Sequence, residues 1–318
     1  MITATQLRNS IGLKTNESIL QVLSSLENSS DLHYKRGKST ILEPDFFPQY
    51  FKSSRKNQIK EVQGKIVSVA NNKGGVGKTS LNALTAYKTA NMGFKTVAID
   101  TDPQGNLTNY MLGEGFEPEA TLYNVLKGDV DINEAIVKIN ENLFLLPSGL
   151  DNEFIHETVS PIALPRTLNS RIFEKIDTSL FLIDTNPSLS DINLAIHSLA
   201  DMVMEIINND SMSVKGLMHV LSKLSLLGYT GAVKAVFNKV DGREKLNRAI
   251  ERIKPLIEEF HFSIAAKFMR TDNEIKNAQY NKSGAIGQMD LNSKCQTDSL
   301  AIAIEILTDL SNQQLAAQ

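Results

Sequence analysis

Short runs of β-branched and other apolar residues alternate along most of this chain with longer segments whose apolar residues recur at helical spacing. The apolar runs predict strands, at 65–70, 96–99, 143–146, 180–183, 202–207, 232–237 and 263–267. The helically spaced segments between them include 79–91, 192–199, 214–227 and 244–259. Because continuous apolar strands joined by helices are typical of parallel sheets covered on both faces, this part of the chain predicts an α/β fold with a doubly wound, mostly parallel sheet.

The first 51 residues follow a different pattern. Helical spacing predicts helices at 3–11 and 17–29, and residues 31–42 predict a β-hairpin with Gly37 near its turn. Two helices followed by a hairpin favour a small winged-helix-like domain over residues 1–51, although a dimerisation or packing module fits the pattern too. The polar, basic stretch after it indicates a linker at 52–63, so the α/β domain is predicted to span 64–318.

Composition narrows the class of protein. The chain has 318 residues, 42% of them apolar, which is ordinary for one large α/β domain with a small appendage. Its one cysteine, Cys295, rules out a disulfide framework, and its five histidines lack the spacing of a zinc site. No apolar stretch approaches about 18 residues and no signal-peptide pattern is present, so we expect a cytoplasmic location.

Charge is distributed unevenly along the chain. The net charge of −3 combines +4 over residues 1–60, which hold nine Lys/Arg and five Asp/Glu, with −7 over the remainder. A basic excess in a short N-terminal segment favours contact with nucleic acid, although the solvated surface of an ordinary small domain would carry similar charge. On a winged helix, Lys35, Arg36 and Lys38 would lie on the wing, near DNA phosphates.

A glycine-rich loop lies between the first predicted strand of the α/β domain and the helix that follows. Glycines let the backbone curl around an anion, and the helix N-terminus adds a partial positive charge, so the loop predicts a phosphate site. Lys78 would reach the β- and γ-phosphates, and the Thr79 hydroxyl would ligate Mg²⁺. The predicted nucleotide-binding residues of this loop are Lys73, Gly74, Gly75, Val76, Gly77, Lys78, Thr79 and Ser80.

The loop departs from the usual P-loop pattern in an informative way. Asn72 stands where that pattern has a glycine, and a second lysine, Lys73, comes directly before the Gly-Gly pair. This arrangement resembles the deviant Walker A loop of the ParA/MinD ATPase superfamily. The resemblance extends over about residues 64–310 and implies that Lys73 crosses a dimer interface to the partner's nucleotide.

Two acidic motifs support this resemblance. Residues 97–106 resemble the family's switch I, which implies that Asp102 helps to position the attacking water and that Asp100 lies near the metal; capping of the following helix is the alternative role for Asp102. Residues 181–188 resemble a Walker B strand that continues into switch II, which assigns Asp184 to the Mg²⁺ shell. Together with Lys73 and Lys78, Asp102 completes the predicted catalytic set.

The sequence departs from the family pattern at three further positions. Asn186 precedes Pro187 where the family has a second proline, and Asn209 replaces a common proline. Glu205 falls in a strand that is normally apolar, which a polar partner or a position at the sheet edge would explain.

The segment Asn238-Lys-Val-Asp matches a motif that recognises guanine in GTPases, but a four-residue match is weak. The family resemblance favours ATP over GTP. Asn238 is the predicted base contact with either nucleotide.

The resemblance implies a DNA-partition ATPase. It would form an ATP-sandwich homodimer that binds nonspecific DNA, associates with the nucleoid, and is released when a ParB-like partner and DNA stimulate slow ATP hydrolysis. Because the domain after residue 60 has a net charge of −7, its DNA surface would be a local patch completed by dimerisation. The predicted DNA contacts outside the wing are Arg243, Lys245, Arg270, Lys276 and Lys282.

The sequence leaves two alternative functions open. A MinD-like ATPase that cycles on membranes needs a basic amphipathic C-terminal helix, whereas the segment after Lys294 has no Lys or Arg and its apolar spacing suits packing on the sheet. We therefore expect no membrane contact. A metabolic P-loop phosphotransferase would act without DNA or a partner protein.

Overall fold

The computed structural model describes residues 1–13, 17–26, 29–53, 59–280, 289–291 and 293–316. Its strands β1 to β11 are Ile2–Thr3, His33–Arg36, Ser39–Leu42, Lys65–Ala70, Thr96–Asp100, Val137–Asn140, Leu143–Leu146, Leu180–Asp184, Met202–Ile207, Ala232–Phe237 and Ser263–Ile264. Its helices α1 to α14 are Ala4–Ile11, Glu17–Ser25, Phe46–Ser53, Lys78–Asn91, Asn106–Leu112, Leu122–Lys127, Ile132–Ala135, Ile155–Thr158, Leu164–Leu168, Asp191–Leu199, Ser211–Leu226, Arg243–Phe260, Asn273–Tyr280 and Lys294–Ala316.

The main sheet confirms the predicted fold class. Its strand order is β11-β10-β9-β4-β8-β5-β7-β6, and all neighbours are parallel except β6 and β7. β4 lies in the middle of the sheet. The chain first forms β5 and β8 on one side of β4, and later forms β9 and β10 on the other side. Ligands of such sheets bind beyond the carboxyl ends of the strands near the point where the strand order reverses. That point is the carboxyl end of β4.

The edges of this sheet differ from the prediction. The apolar pattern does not predict β6, because it is an edge strand of mixed polarity that pairs only with β7. At the other edge the predicted strand 263–267 shortens to β11, which pairs with β10 through two residues. The apolar pattern identifies buried strands well and edge strands poorly, since one side of an edge strand faces solvent.

The N-terminal segment has the two predicted helices and the hairpin, although α2 ends at Ser25 and not at residue 29. It also has two elements that the pattern does not predict. β1 pairs with β3 and completes a three-stranded antiparallel sheet of order β1-β3-β2. α3 follows the hairpin, and its Phe46, Phe47 and Phe51 side chains are fully buried. The helical spacing of α3 is hidden in the sequence by its proline and by the density of aromatic residues.

This segment packs onto the large domain. The Ser10 hydroxyl donates to the carbonyl of Thr297 at 3.0 Å, and the apolar residues of α1 and α14 belong to one hydrophobic cluster. Ile59 and Val62, within the predicted linker, are also buried in this cluster, and residues 54–58 of that linker lie outside the described residues. The division at residues 51 and 64 stays a prediction.

One buried histidine gives the fold a pH dependence. His197 in α10 is buried against β4, where its Nδ1 shares a 2.9 Å hydrogen bond with the Ser68 hydroxyl, and burial lowers the pKa of the imidazole to about 4. The neutral ring therefore contributes stability that is complete above the unfolded pKa of about 6.5 and is lost as pH falls towards 4.

When the pH falls from 7 to 5, we expect the free energy of unfolding of the wild type to decrease by about 2 kcal/mol more than that of His197→Gln. The reason is that glutamine cannot take up a proton. Urea denaturation of both chains at the two pH values measures this difference. Equal losses in the two chains would show that the ring is not desolvated.

Candidate functional site

The loop after β4 has the backbone of a phosphate cradle. Gly75 and Gly77 have φ of 73° and 98°, in the left-handed region that favours glycine, and Gly77 forms the N-cap of α4. A Cβ on Gly77 would lie 2.2 Å from Nδ2 of Asn238, so a larger residue there would have to displace this amide. The loop therefore presents the N-terminus of α4 to an open cavity of about 950 Å³.

Lys78 lies on the floor of this cavity. The side chain is only 6% exposed, and its Nζ donates one long hydrogen bond of 3.4 Å to the carbonyl of Lys73. Burial lowers the pKa of Lys78, whereas the carboxylates of Asp184, Glu205 and Asp102 act in the opposite direction. The ammonium group is thus held near the loop with its remaining donors available for an anion.

The two acidic strand ends meet beside the loop, because Asp100 and Asp184 are register partners in β5 and β8. Asp184 is buried and its Oδ1 has no hydrogen-bond partner among the residues described. Burial and the neighbouring Asp100 raise the pKa of Asp184 to about 8. A buried carboxylate oxygen next to the Thr79 hydroxyl fits a Mg²⁺ ion, whose charge would remove this penalty.

Asp100 has a different environment. Its Oδ2 accepts hydrogen bonds from the backbone N–H and the hydroxyl of Thr108, both at 2.8 Å, and its Oδ1 accepts from the N–H of Asp102 at 3.1 Å. Burial raises the pKa of Asp100 to about 6, against the effect of these hydrogen bonds. Asp100 therefore anchors both the segment before α5 and the first turn of that helix, and its predicted role near the metal stays a prediction.

Asp102 lines the cavity from the same segment. Its Oδ1 accepts from the N–H of Gln104 at 3.0 Å, which closes a turn before α5, whereas the N-cap position of α5 belongs to Gly105. Asp102 therefore closes a turn within the loop and does not cap α5, as the alternative prediction had it. The carboxylate remains partly exposed at the cavity.

The hydrogen bonds of Asn186, in the segment after β8, explain why this residue departs from the family pattern. Oδ1 of Asn186 accepts from the Ser188 hydroxyl at 2.5 Å and from Nδ2 of Asn193 at 2.8 Å. Asn186 therefore ties the cavity wall around Pro187 to the first turn of α10, a role that an additional proline could not perform.

Asn238 and its neighbour hold the loop from the opposite side. The Asn238 amide donates to the carbonyl of Val76 at 2.7 Å, and the Lys239 ammonium donates to the carbonyl of Gly75 at 2.7 Å. Lys239 has φ of 55°, an uncommon conformation for a residue other than glycine. Lys239 is absent from the residues predicted from sequence, although its place in the Asn-Lys-Val-Asp segment was the available signal. Asp241 also lines the cavity.

Lys73 points away from the cavity floor. Its Nζ lies 2.9 Å from both carboxylate oxygens of Asp210, which also accepts from the N–H of Ser213 and so caps α11. Among the described residues that line the cavity, Lys78 is present and Lys73 is not. No signal in the sequence indicates Asp210, because the pairing joins residues 137 positions apart.

Glu205 lies in the interior of the sheet, since β9 is flanked by β4 and β10. The edge-strand explanation is therefore wrong. The other explanation, a polar partner, is supported by the Lys78 ammonium and the Asn71 amide, the two polar groups that act on this carboxyl.

The predicted DNA contacts occupy several places. Lys35, Arg36 and Lys38 are exposed on the β2–β3 hairpin, and Arg243 and Lys245 are exposed at the start of α12. Arg270 forms a two-pronged ion pair with Asp298 of α14 and lines the cavity, so the structure gives it a local role. Lys276 lies in α13, and Lys282 lies outside the described residues. These DNA contacts stay predictions.

The glycine cradle, the buried lysine and the paired strand-end carboxylates on a parallel sheet define a P-loop ATPase. A family model described as an AAA domain matches residues 64–234, more than half of the chain. The chain belongs to this family, and its fold is that of the ATPases of the ParA/MinD type.

The sporulation initiation inhibitor protein Soj of Bacillus subtilis is one such relative, 28% identical over 170 residues. The match covers 52% of this chain and 66% of Soj, slightly less than two thirds of that protein.

Solved structures share the fold. A partition protein of Borrelia burgdorferi bound to AMPPNP has a TM-score of 0.62 and 22% identity, over 79% of this chain and 100% of that one. The cell division ATPase MinD of Pyrococcus furiosus also has a TM-score of 0.62 and 22% identity, over 76% and 98% of the two chains.

Proposed function

We propose that this protein is a DNA-partition ATPase, in which ATP joins two copies into a sandwich dimer that binds nonspecific DNA. A ParB-like partner would stimulate hydrolysis and release the dimer. The observation that carries the proposal is the position of Lys73. Its ammonium group lies outside the cavity of its own chain, in a partly exposed ion pair with Asp210 at the N-terminus of α11, and would leave this pair for a nucleotide held by a second copy.

ATP and Mg²⁺ would occupy the cavity. The loop N–H groups and Lys78 would bind the β- and γ-phosphates, and Thr79 with Asp184 would hold the metal, which neutralises charge on the transferring phosphoryl group. The unpartnered oxygen of Asp184 supports this assignment. Asp102 would orient the attacking water from its partly exposed position at the cavity. Asn238 and the 269–272 segment would face the base.

DNA binding would use exposed cations at the start of α12, shortly after Asp241 of the cavity lining. The side chains of Arg243 and Lys245 make no hydrogen bond or ion pair within the described part of the chain, and both residues are exposed. Free surface cations are available to phosphates, whereas paired ones must first leave their partners.

We expect this protein to sediment with nonspecific DNA in the presence of ATP, and much less with ADP or without nucleotide. The variant Arg243→Glu with Lys245→Glu should bind DNA more weakly and show a smaller salt dependence, by about 0.9 in the logarithmic slope for each phosphate that is no longer neutralised. Lys138→Glu with Lys175→Glu, at two exposed lysines elsewhere, is the charge-matched control. DNA binding that ignores the nucleotide would contradict the proposal.

A membrane-cycling function is the second candidate, because MinD of Pyrococcus furiosus shares the fold. Among the described residues, no helix combines the length and hydropathy needed to cross a bilayer. Leu300, Leu307 and Leu310 of α14 are fully buried in the core and so are not available to lipid. Sedimentation with anionic vesicles in ATP would distinguish the two functions.

A further inference from the structure

Glu205 is the most anomalous side chain of the sheet. It is completely buried in a central strand, and it shares a face of β9 with Val203 and Ile207. Neither of its carboxyl oxygens meets a hydrogen bond of ordinary geometry among the residues that the structure describes. Burying an unpaired carboxyl destabilises a fold by at least about 1–3 kcal/mol, so packing alone gives no reason for a glutamate here.

The position of Glu205 relates it to the phosphate loop. Its register partners are Ala70 in β4 and Ala235 in β10, and Ala70 is the last residue before the loop begins at Asn71. Two small neighbours leave space around the carboxyl on both sides. The groups that act on it are both loop residues, the Lys78 ammonium and the Asn71 amide.

Asn71 connects this carboxyl to both ends of the site. Its Oδ1 accepts from the N–H of Lys73 at 2.9 Å, and its Nδ2 donates to the carbonyl of Ser213 in α11 at 3.2 Å. The amide is wedged against Gly216, where a Cβ would lie 2.2 Å from Oδ1. A shift of Asn71 would therefore move the backbone of Lys73. Glu205 lies next to Asn71, so its carboxyl can restrain this shift.

Lys78 also faces this carboxyl. Within the described structure its ammonium has one hydrogen bond, the long one to the carbonyl of Lys73, and the polar Glu205 carboxyl is one of the groups that act on it. A lysine, with its long flexible side chain, loses considerable entropy when it is held in one conformation, and a group that restrains it in advance favours ligand binding.

We propose that Glu205 is a positioning residue of the phosphate loop, which holds Asn71 and Lys78 in the arrangement that receives the triphosphate. The inference rests on the proposed ATPase function and adds a residue outside the loop motif to it. This role in the site explains why a buried, unpaired carboxyl persists at position 205 although it destabilises the fold.

Burial raises the pKa of Glu205 well above the usual carboxyl range, which favours the neutral acid. Glutamine reproduces the size and polarity of that form, and methionine has similar length without polar oxygens. The two substitutions therefore separate the polar role from the space that the side chain fills.

The test compares wild type, Glu205→Gln and Glu205→Met in thermal melting and in equilibrium binding of a fluorescent ATP analogue. We expect Glu205→Met to melt at a higher temperature than wild type and to bind the analogue at least about tenfold more weakly. Glu205→Gln should bind within about threefold of wild type, because it retains a polar group beside Lys78 and Asn71.

Unchanged affinity in Glu205→Met would overturn the proposal. If Glu205→Met does not fold, Glu205→Ala is measured in its place, and failure of both to fold would assign the carboxyl to the fold and refute a positioning role. Absence of binding by wild type would instead refute the ATPase function, so the two failures are distinguishable.

Discussion

The Lys78→Ala variant is expected to lose ATP binding, with affinity at least about 100-fold below that of wild type. The ammonium group is buried on the cavity floor, where a charge-assisted hydrogen bond to phosphate is worth about 1.5–3 kcal/mol and more than one such bond is available. A hundredfold loss corresponds to about 2.7 kcal/mol. Equilibrium binding of a fluorescent ATP analogue with Mg²⁺ measures the effect.

Two features make this experiment decisive. Lys78 makes one long hydrogen bond to the protein, and burial lowers its pKa, so its removal relieves desolvation and should not unfold the chain. Lys175→Ala, at an exposed lysine away from the cavity, is the matched control and should bind as wild type does. A folded Lys78→Ala chain that binds ATP normally would show that the loop does not hold phosphate.

The Lys73→Ala variant is expected to bind ATP as a monomer. Lys73 does not line the cavity of its own chain, so affinity for the first nucleotide should change little, whereas a sandwich dimer would be deprived of two cross-interface hydrogen bonds to phosphate. If each of these bonds is worth about 1.5–3 kcal/mol, dimerisation weakens by at least about 100-fold. Sedimentation velocity with a nonhydrolysable ATP analogue measures the monomer–dimer equilibrium.

Asp210→Asn is the matched control for Lys73→Ala. Both substitutions remove the Lys73–Asp210 ion pair, but asparagine still caps α11, and Lys73 is still present. The pair is partly exposed, so its own contribution is at most about 1 kcal/mol. We expect Asp210→Asn to dimerise, and an ATP-dependent dimer of normal strength in Lys73→Ala would contradict the sandwich.

The phosphate loop could be predicted from sequence because it is contiguous. Its glycines, Lys78 and Thr79 lie within a few residues, and the strand and helix on either side have strong apolar patterns. The two acidic motifs could be placed for a similar reason, since parallel strands bring their carboxyl ends to one edge. The structure brings Asp100 and Asp184 into register at that edge.

Other parts of the site could not be predicted because they depend on contacts between distant segments. The carboxylate that pairs with Lys73 and the lysine that holds the carbonyl of Gly75 lie on loops after β9 and β10. The docking of α1 on α14 joins two segments that are nearly 290 positions apart, since Ser10 and Thr297 are separated by 287. No local pattern encodes such pairings.

The sequence by itself determined the fold class, the location of the glycine-rich loop and the residues predicted to bind an anion there, because each depends on periodicity or on neighbours along the chain. Only the tertiary structure decided how Lys73 is oriented, which oxygens of the acidic residues remain free, and that Glu205 lies beneath the loop instead of at an edge. Those properties arise from burial and from the order of strands, and both are set when distant segments pack together.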